Sequence, residues 1–376
     1  MSYTALARRY RSRDFDEVMG QEAIARTLRA SIDSDRVAHA YLFCGTRGVG
    51  KTTMARVFAK ALCGGSPEAD DAIMTGQDTD VIEIDGASNN SVDDARDLIA
   101  NAGYRPMRSE YKVYIIDEVH MLSTAAFNAL LKTMEEPPEH VKFILCTTEA
   151  HKVPPTIQSR CQRYDFKNIP VRTIAERLEA LIGEESLSAE PELVHTIARL
   201  GNGSMRDALS ILDRVMASGE KTLTLALLEE LLGLPEREAV SKLVDACAEG
   251  DPARALEAGD ALLAKGSAPD QALEALIVRL RDLMILAACG ADTDLVDLAD
   301  DARAEEAERA GSFDAAGLMH MIALCEGVQR SVKSSPTPRA LFDALLVRLA
   351  MAEKIADLAT LVKQLGPGAG AALGKG

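Results

Sequence analysis

The chain has 376 residues, of which 47% are hydrophobic, 27% charged and 4% aromatic, with no tryptophan. A chain of this length and balance buries a real core over two or three domains, which excludes disordered, collagen-like and disulfide-scaffold proteins and favours helices over an all-β sandwich. The net charge of −16 argues against coating nucleic acid or an anionic membrane through bulk charge, although residues 1–170, with 21 basic and 24 acidic side chains, leave room for a local basic face. Seven cysteines without a close CxxC pair fit reduced thiols. The absence of a signal-peptide core or a long apolar run predicts a cytoplasmic protein that does not enter a membrane.

Along the first third, AYLFCG (40–45), DVIEID (80–85), KVYIID (112–117) and VKFILCTT (141–148) are short apolar runs that predict buried strands. Helical spacing in KTTMARVFAKALC, SVDDARDLIANA and STAAFNALLKTMEE places helices between them. This alternation predicts right-handed βαβ units around a parallel sheet, with ligands at the strands' C-terminal ends. After about residue 168 the strand signal stops. RTIAERLEALIGEE, PELVHTIARL, SMRDALSILDRVMA and LALLEELLG predict amphipathic helices broken by Gly, Pro and Ser. A second helical block follows GLPEREAV and runs to about residue 361, before a Gly-rich tail. The predicted domains are therefore 1–169, 170–232 and 233–361, with a flexible tail at 362–376. The acidic run from Asp292 to Glu308 is expected to be a solvated face.

GTRGVGKT (Gly45, Thr46, Arg47, Gly48, Val49, Gly50, Lys51, Thr52) matches the phosphate-binding loop and stands where that motif belongs, between a strand and a helix. Its glycines let backbone N–H groups approach phosphates, Lys51 reaches the β/γ oxygens, and the Thr52 hydroxyl can ligate Mg²⁺; Thr53 joins the expected nucleotide contacts. At the end of a later strand, Asp117 is expected to hold the Mg²⁺ and Glu118 to act as base on the attacking water. FILCTT ends in Thr147 and Thr148, from which a hydroxyl can meet the γ-phosphate or that water. Arg160, in SRC, can project from the domain surface as a finger for a neighbour's nucleotide, although such an arginine more often makes a surface ion pair. Arg206 opens a helix after a Gly-rich turn and can couple nucleotide state to domain angle. Tyr10 and Arg11 are candidates to line an adenine pocket.

Taken in order, the N-terminal segment, AYLFCGTRGVGKTTMARVFAKALC, DVIEIDGASNN, KVYIIDEVHMLSTAAFNALLKTMEEPPEHVKFILCTTEAHKVPPTIQSRCQ and GSMRDALSILD resemble the clamp-loader branch of the AAA+ ATPases, and within it the bacterial DNA polymerase III gamma/tau family. The resemblance is close over about residues 1–235. It implies a P-loop AAA+ domain with a parallel sheet, a small helical lid and an all-α collar. It further implies Thr148 as first sensor, Arg160 as a finger acting in trans, Arg206 as second sensor, and ATP with Mg²⁺. The implied partners are delta and delta-prime subunits and further copies of this chain in a five-subunit ring, a sliding clamp and primer-template DNA. The implied activity is ATP hydrolysis within a DNA-directed DNA polymerase complex, opening the clamp and loading it on primed DNA. Alternatives are another AAA+ DNA remodeller or a non-hydrolysing loader scaffold, which intact Lys51, Thr52, Asp117 and Glu118 oppose.

Three departures from the family pattern stand out. ALCGGSPEADDAIMTGQDTD keeps only Cys63 of a four-cysteine module, and one thiolate cannot make a structural zinc site, so no zinc is expected. Ser12 stands where a proline is usual, and the long tau tail is missing, as in a natural short form or a truncated long form. For DNA, the candidate contacts are Arg105, Arg108, Lys112 and Lys152, with solvated charge as their ordinary role.

Overall fold

A computed structural model describes residues 5–351 apart from 265, 266, 294, 297 and 299. The expected tail and the end of the second helical block lie outside the described residues, as does part of the acidic run. The described chain divides into two compact units. One holds residues up to Ser186 together with Ile197–Ala217, and the other holds Leu187–Thr196 and the chain from Ser218.

In the first unit a short helix α1 (Leu6–Arg9) and α2 (Glu22–Asp33) precede strand β1 (Ala40–Cys44). Then come α3 (Lys51–Cys63), α4 (Pro67–Thr75), β2 (Val81–Asp85), α5 (Val92–Ala102), β3 (Lys112–Asp117), α6 (Thr124–Glu135), β4 (Val141–Thr147), α7 (Pro155–Gln158), β5 (Gln162–Asp165) and α8 (Val171–Glu184). The strands form one five-stranded sheet in the order β2-β3-β4-β1-β5, parallel throughout. Because both faces are covered by helices, β1 and β4 are buried along their whole length, as the apolar runs predict. One face packs Tyr41, Phe43, Ile115 and Ile144 against Met54, Val57 and Phe58 of α3. The other packs Leu42, Tyr114, Ile116 and Phe143 against Leu98 of α5 and Phe127 and Leu130 of α6.

This order places β1, β4 and β3 side by side, so that the residues following them converge at one sheet edge. Gly45 N–H donates to the Thr147 carbonyl at 3.2 Å across that edge. Strand β5 pairs Tyr41 with Gln162 and Cys44 with Asp165. It carries no apolar run, being a short polar edge strand, so the sequence pattern gives no sign of it.

The segment between Cys63 and β2 folds as α4, capped by Ser66, with Ala69, Ile73 and Met74 buried. Cys63 itself is buried and donates to the Tyr111 carbonyl at 3.2 Å, and burial pushes its thiol up to about 12. Helices α9 (Pro191–Leu200) and α10 (Met205–Met216) follow, with two-residue strands β6 (Ser188–Ala189) and β7 (Thr222–Leu223) and helix α11 (Leu225–Leu232).

In the second unit, α12 (Arg237–Ala248), α13 (Pro252–Ala264), α14 (Pro269–Cys289), α15 (Asp300–Ala310), α16 (Ala315–Ser334) and α17 (Pro338–Ala350) surround a core of Leu243, Val244, Leu276, Leu280, Leu283, Met321, Phe342 and Leu346. The all-α expectation for this block holds among the described residues.

Candidate nucleotide site

The loop after β1 turns tightly because Gly45, Gly48 and Gly50 take positive φ of 154°, 77° and 100°, conformations that a side chain disfavours. It ends at α3, whose cap position, Gly50, offers no side-chain hydrogen bond. The first N–H groups of that helix are thus left for an anion. Lys51 folds back over the loop and donates to the carbonyls of Gly45 at 2.9 Å and Thr46 at 2.7 Å. It is 6% exposed, and burial holds its ammonium below the ordinary lysine range, against the pull of Glu118 and Asp117. A desolvated cation so placed gains from an incoming negative charge.

Thr52 Oγ1 donates to Asp117 Oδ2 at 2.7 Å, which brings the helix start and the end of β3 together. Asp117 Oδ1 accepts from the Glu118 N–H at 2.9 Å, and Glu118 sits at φ 45°, a left-handed conformation that costs a non-glycine residue about 1 kcal/mol or more. That turn puts the Glu118 carboxylate within reach of β4: Thr148 Oγ1 donates to Glu118 Oε2 at 3.1 Å. Thr147, one residue earlier and fully buried, faces His120 instead, with Oγ1 and Nδ1 3.1 Å apart. The strand's alternation therefore separates the two threonines.

The remaining loop residues divide by exposure. Thr46 Oγ1 donates to Asn168 Oδ1 at 2.6 Å, Arg47 is exposed, Val49 is buried in the core beside α3, and Thr53 is half-buried in the first turn of α3. Arg206 lies in the first turn of α10 and is exposed; its N–H donates to the Gly48 carbonyl at 3.5 Å. Ser204 caps that helix by accepting from the Asp207 N–H at 3.2 Å.

Tyr10 and Arg11, expected together at an adenine pocket, part company. The Tyr10 hydroxyl and the Arg9 guanidinium both donate to Glu185, just after α8. Arg11 is half-buried, and burial pushes its guanidinium down, with Arg56 and Arg206 acting in the same sense and Glu83 and Asp117 against it. Arg11 thus stands among the charges at the phosphate end. Arg56 itself is held by Glu83 through two hydrogen bonds of 2.6 and 2.9 Å.

Arg160 is half-buried; its guanidinium is paired with Glu135 and donates to the Thr156 carbonyl at 2.6 Å. Of the DNA candidates, Arg105 is exposed. Arg108 pairs with Asp78 at 2.6 Å and Lys152 with Glu149 at 2.9 Å, both staying half-open to solvent. Lys112 corrects the expectation: it is buried, with its ammonium on the Asn101 carbonyl at 2.9 Å, because it begins β3 with that ammonium 6.0 Å from the Tyr114 ring two residues on. A cation so enclosed does not track phosphates.

Three family models match in sequence. They are "DNA polymerase III, delta subunit" over residues 20–170, "DNA polymerase III clamp loader subunit, ATPase lid domain" over 173–221, and "DNA polymerase III subunits gamma and tau domain III" over 223–365. DNA polymerase III subunit gamma of Buchnera aphidicola is 39% identical over 63% of this chain and 68% of its own length. The chain belongs to the DNA polymerase III gamma/tau family. DNA polymerase III subunit tau of Bacillus subtilis is 39% identical over 93% of this chain and 63% of its own length. Its Escherichia coli counterpart is 43% identical over 76% and 45%. The chain thus spans between about half and two-thirds of those two tau subunits. The fold is that of an AAA+ ATPase with a lid and a helical third domain. No helix among the described residues is long and apolar enough to cross a membrane.

Sequence reasoning missed two residues at this site, His120 and Glu149. His120 is legible only as the last letter of DEVH. Glu149 carries no signal, since an acid after a strand is ordinary.

Proposed function

We propose that this chain is the ATP-hydrolysing motor subunit of a bacterial sliding-clamp loader, cytoplasmic, acting with delta and delta-prime subunits and further copies of itself in a five-subunit ring to place the clamp on primer-template DNA. The observation that carries this reading is the joining of Thr52 to Asp117 and of Thr148 to Glu118 at one sheet edge, beside a buried Lys51. It rests also on family membership.

The loop fits a nucleotide. An added Cβ at Gly50 would have no atom within 4 Å, α3 begins without a side-chain cap, and the Lys51 ammonium rests on the neutral carbonyls of Gly45 and Thr46. Thr52 Oγ1 and Asp117 supply the hard oxygen atoms that Mg²⁺ takes, and they would hold it. When bound, Mg²⁺ neutralises charge on the phosphate oxygens. Lys51 and the loop N–H groups bind and orient the β/γ-phosphates of ATP. Glu118 accepts a proton from the attacking water, and Thr148 fixes the carboxylate that does so. Arg160, released from Glu135, reaches a neighbouring copy's phosphates and stabilises the charge of phosphoryl transfer. Arg206, whose backbone rests on Gly48, reports the phosphate state to α10, and Arg11 adds positive charge near the same end. The lid at 170–232 and the collar at 233–361 complete the domain plan, and Arg105, Arg108 and Lys152 remain candidate DNA contacts.

The test is ATP-dependent deposition of labelled clamp on primed circular DNA by the reconstituted complex. Deposition that requires this chain and fails with Lys51→Ala supports the reading. Deposition that is unchanged when this chain is omitted overturns it.

A further inference from the structure

His120 lies between two carboxylates. Its Nδ1 is 3.4 Å from Glu118 Oε2 and 3.1 Å from Thr147 Oγ1, and its Nε2 is 3.3 Å from Glu149 Oε1. Its side chain is 6% exposed, so water does not compete for either nitrogen. Thr147 is fixed in turn by accepting from the Glu149 N–H at 3.0 Å. Glu149 also accepts from Lys152 Nζ at 2.9 Å and lies 3.7 Å from His151 Nε2. His151 is 76% and Lys152 50% exposed. An unbroken chain of polar contacts therefore runs from the base to a lysine ammonium and an imidazole on the surface. These neighbours hold Glu149 below the ordinary carboxylate range, Lys152 first and the two histidines after it.

We propose that His120 is a positioning residue for Glu118, and that Glu149 sets where His120 stands according to whether Lys152 and His151 are engaged by a phosphate backbone. The first half rests on geometry alone; the second rests on the function proposed above. An imidazole has two nitrogens at a fixed separation, so a shift of Glu149 moves the contact at Glu118 through a rigid ring. A polyanion that draws Lys152 and His151 away leaves Glu149 with His120 as its nearest partner, which tightens one contact and shifts the other. Glu118 acts only when its carboxylate meets the attacking water in line, and a displacement of about 1 Å in such a group costs up to about a hundredfold in rate. The relay thus couples backbone contact to turnover with no movement of the sheet.

The experiment uses the reconstituted complex, with ATP turnover and nucleotide affinity measured with and without primed DNA for wild type, His120→Ala, His120→Gln and Glu149→Gln. His120→Ala is expected to lower kcat about tenfold or more, with the nucleotide Kd within about twofold of wild type, and His120→Gln, which keeps a hydrogen-bonding group in the space, is expected to recover most of it. In Glu149→Gln the ratio of stimulated to unstimulated turnover should collapse toward one. An unchanged kcat in His120→Ala overturns the positioning role, as does a parallel loss of kcat and affinity that glutamine does not restore. A Glu149→Gln complex that keeps the wild-type ratio overturns the coupling. If wild type itself ignores DNA, the functional reading fails, while the kcat of the His120 variants still decides the positioning role.

Discussion

Gly48 lies so close beneath Ser204 that a Cβ added to it would stand 1.8 Å from Ser204 Oγ and 2.9 Å from its Cβ. The phosphate loop and the cap of α10 are therefore fitted to each other without space for a methyl group. Ser204 Oγ cannot turn aside freely, because it caps α10 at the Asp207 N–H.

Gly48→Ala should accordingly break the cap and strain a backbone at φ 77°. We expect a stability loss of about 1–3 kcal/mol together with weaker nucleotide binding, read by urea denaturation and by titration with a fluorescent ATP analogue. An unchanged denaturation midpoint would contradict the fitted contact.

Lys51 gives a prediction of opposite sign. Its folded-state ammonium is held below the ordinary value of 10.5, chiefly by burial, so folding disfavours the charged form. That cost is fully present at neutral pH and is relieved as pH rises toward 10.5. Lys51→Met removes the charge while keeping the stem's bulk. The nucleotide-free protein should melt no lower than wild type, while ATP affinity falls by at least tenfold, the order of one charge-assisted contact to phosphate. A lower melting temperature would show Lys51 to be a structural cation instead.

Arg160 is expected to be dispensable for binding and needed for stimulated turnover. Arg160→Ala should leave the nucleotide Kd unchanged and reduce stimulated kcat by about 10³-fold in the assembled complex. A mixing experiment checks the direction: Arg160→Ala chains and Lys51→Ala chains combined should recover part of the activity if the finger acts across subunits. Loss of ATP binding in Arg160→Ala would mean that its bond to Thr156 and its pairing with Glu135 hold the domain together.

In the helical block, Glu306 is 1% exposed and accepts from Arg279 and, at 2.9 Å, from Arg309. Burial pushes the Arg279 guanidinium down to about 10. Folding therefore disfavours its charged form, a cost fully present below about 10 and relieved as pH rises from there toward 12.5. Glu306→Ala removes the counter-charge and should cost about 3–5 kcal/mol in denaturation of the whole chain. A loss below about 1 kcal/mol would show that water or Asp245 takes its place.

Much of the first unit was legible because parallel strands buried on both faces leave continuous apolar runs. KVYIID coincides with β3, and AYLFCG, DVIEID and VKFILCTT match β1, β2 and β4 within a residue. Strand β5 was not legible, since QRYD holds its place by pairing with β1 and not by burial. The phosphate loop was readable from spacing, because few residue types permit its backbone. The partnership of Thr148 with Glu118 was foreseen only as a shared location, and the separate fate of Thr147 follows from strand alternation. Lys112 was misread because a lysine at a strand start looks solvated until the neighbouring Asn101 carbonyl is known. His120 and Glu149 escaped because their contacts join residues 29 positions apart in sequence but adjacent across β3 and β4.

The most direct measurement is steady-state ATP turnover of this chain with delta-type partners, with clamp and primed DNA added separately and together, beside the same assembly carrying Lys51→Ala. A clamp-loading motor is expected to show strong joint stimulation by clamp and DNA that vanishes in the variant. Turnover that is indifferent to both, or that persists in Lys51→Ala, would contradict it.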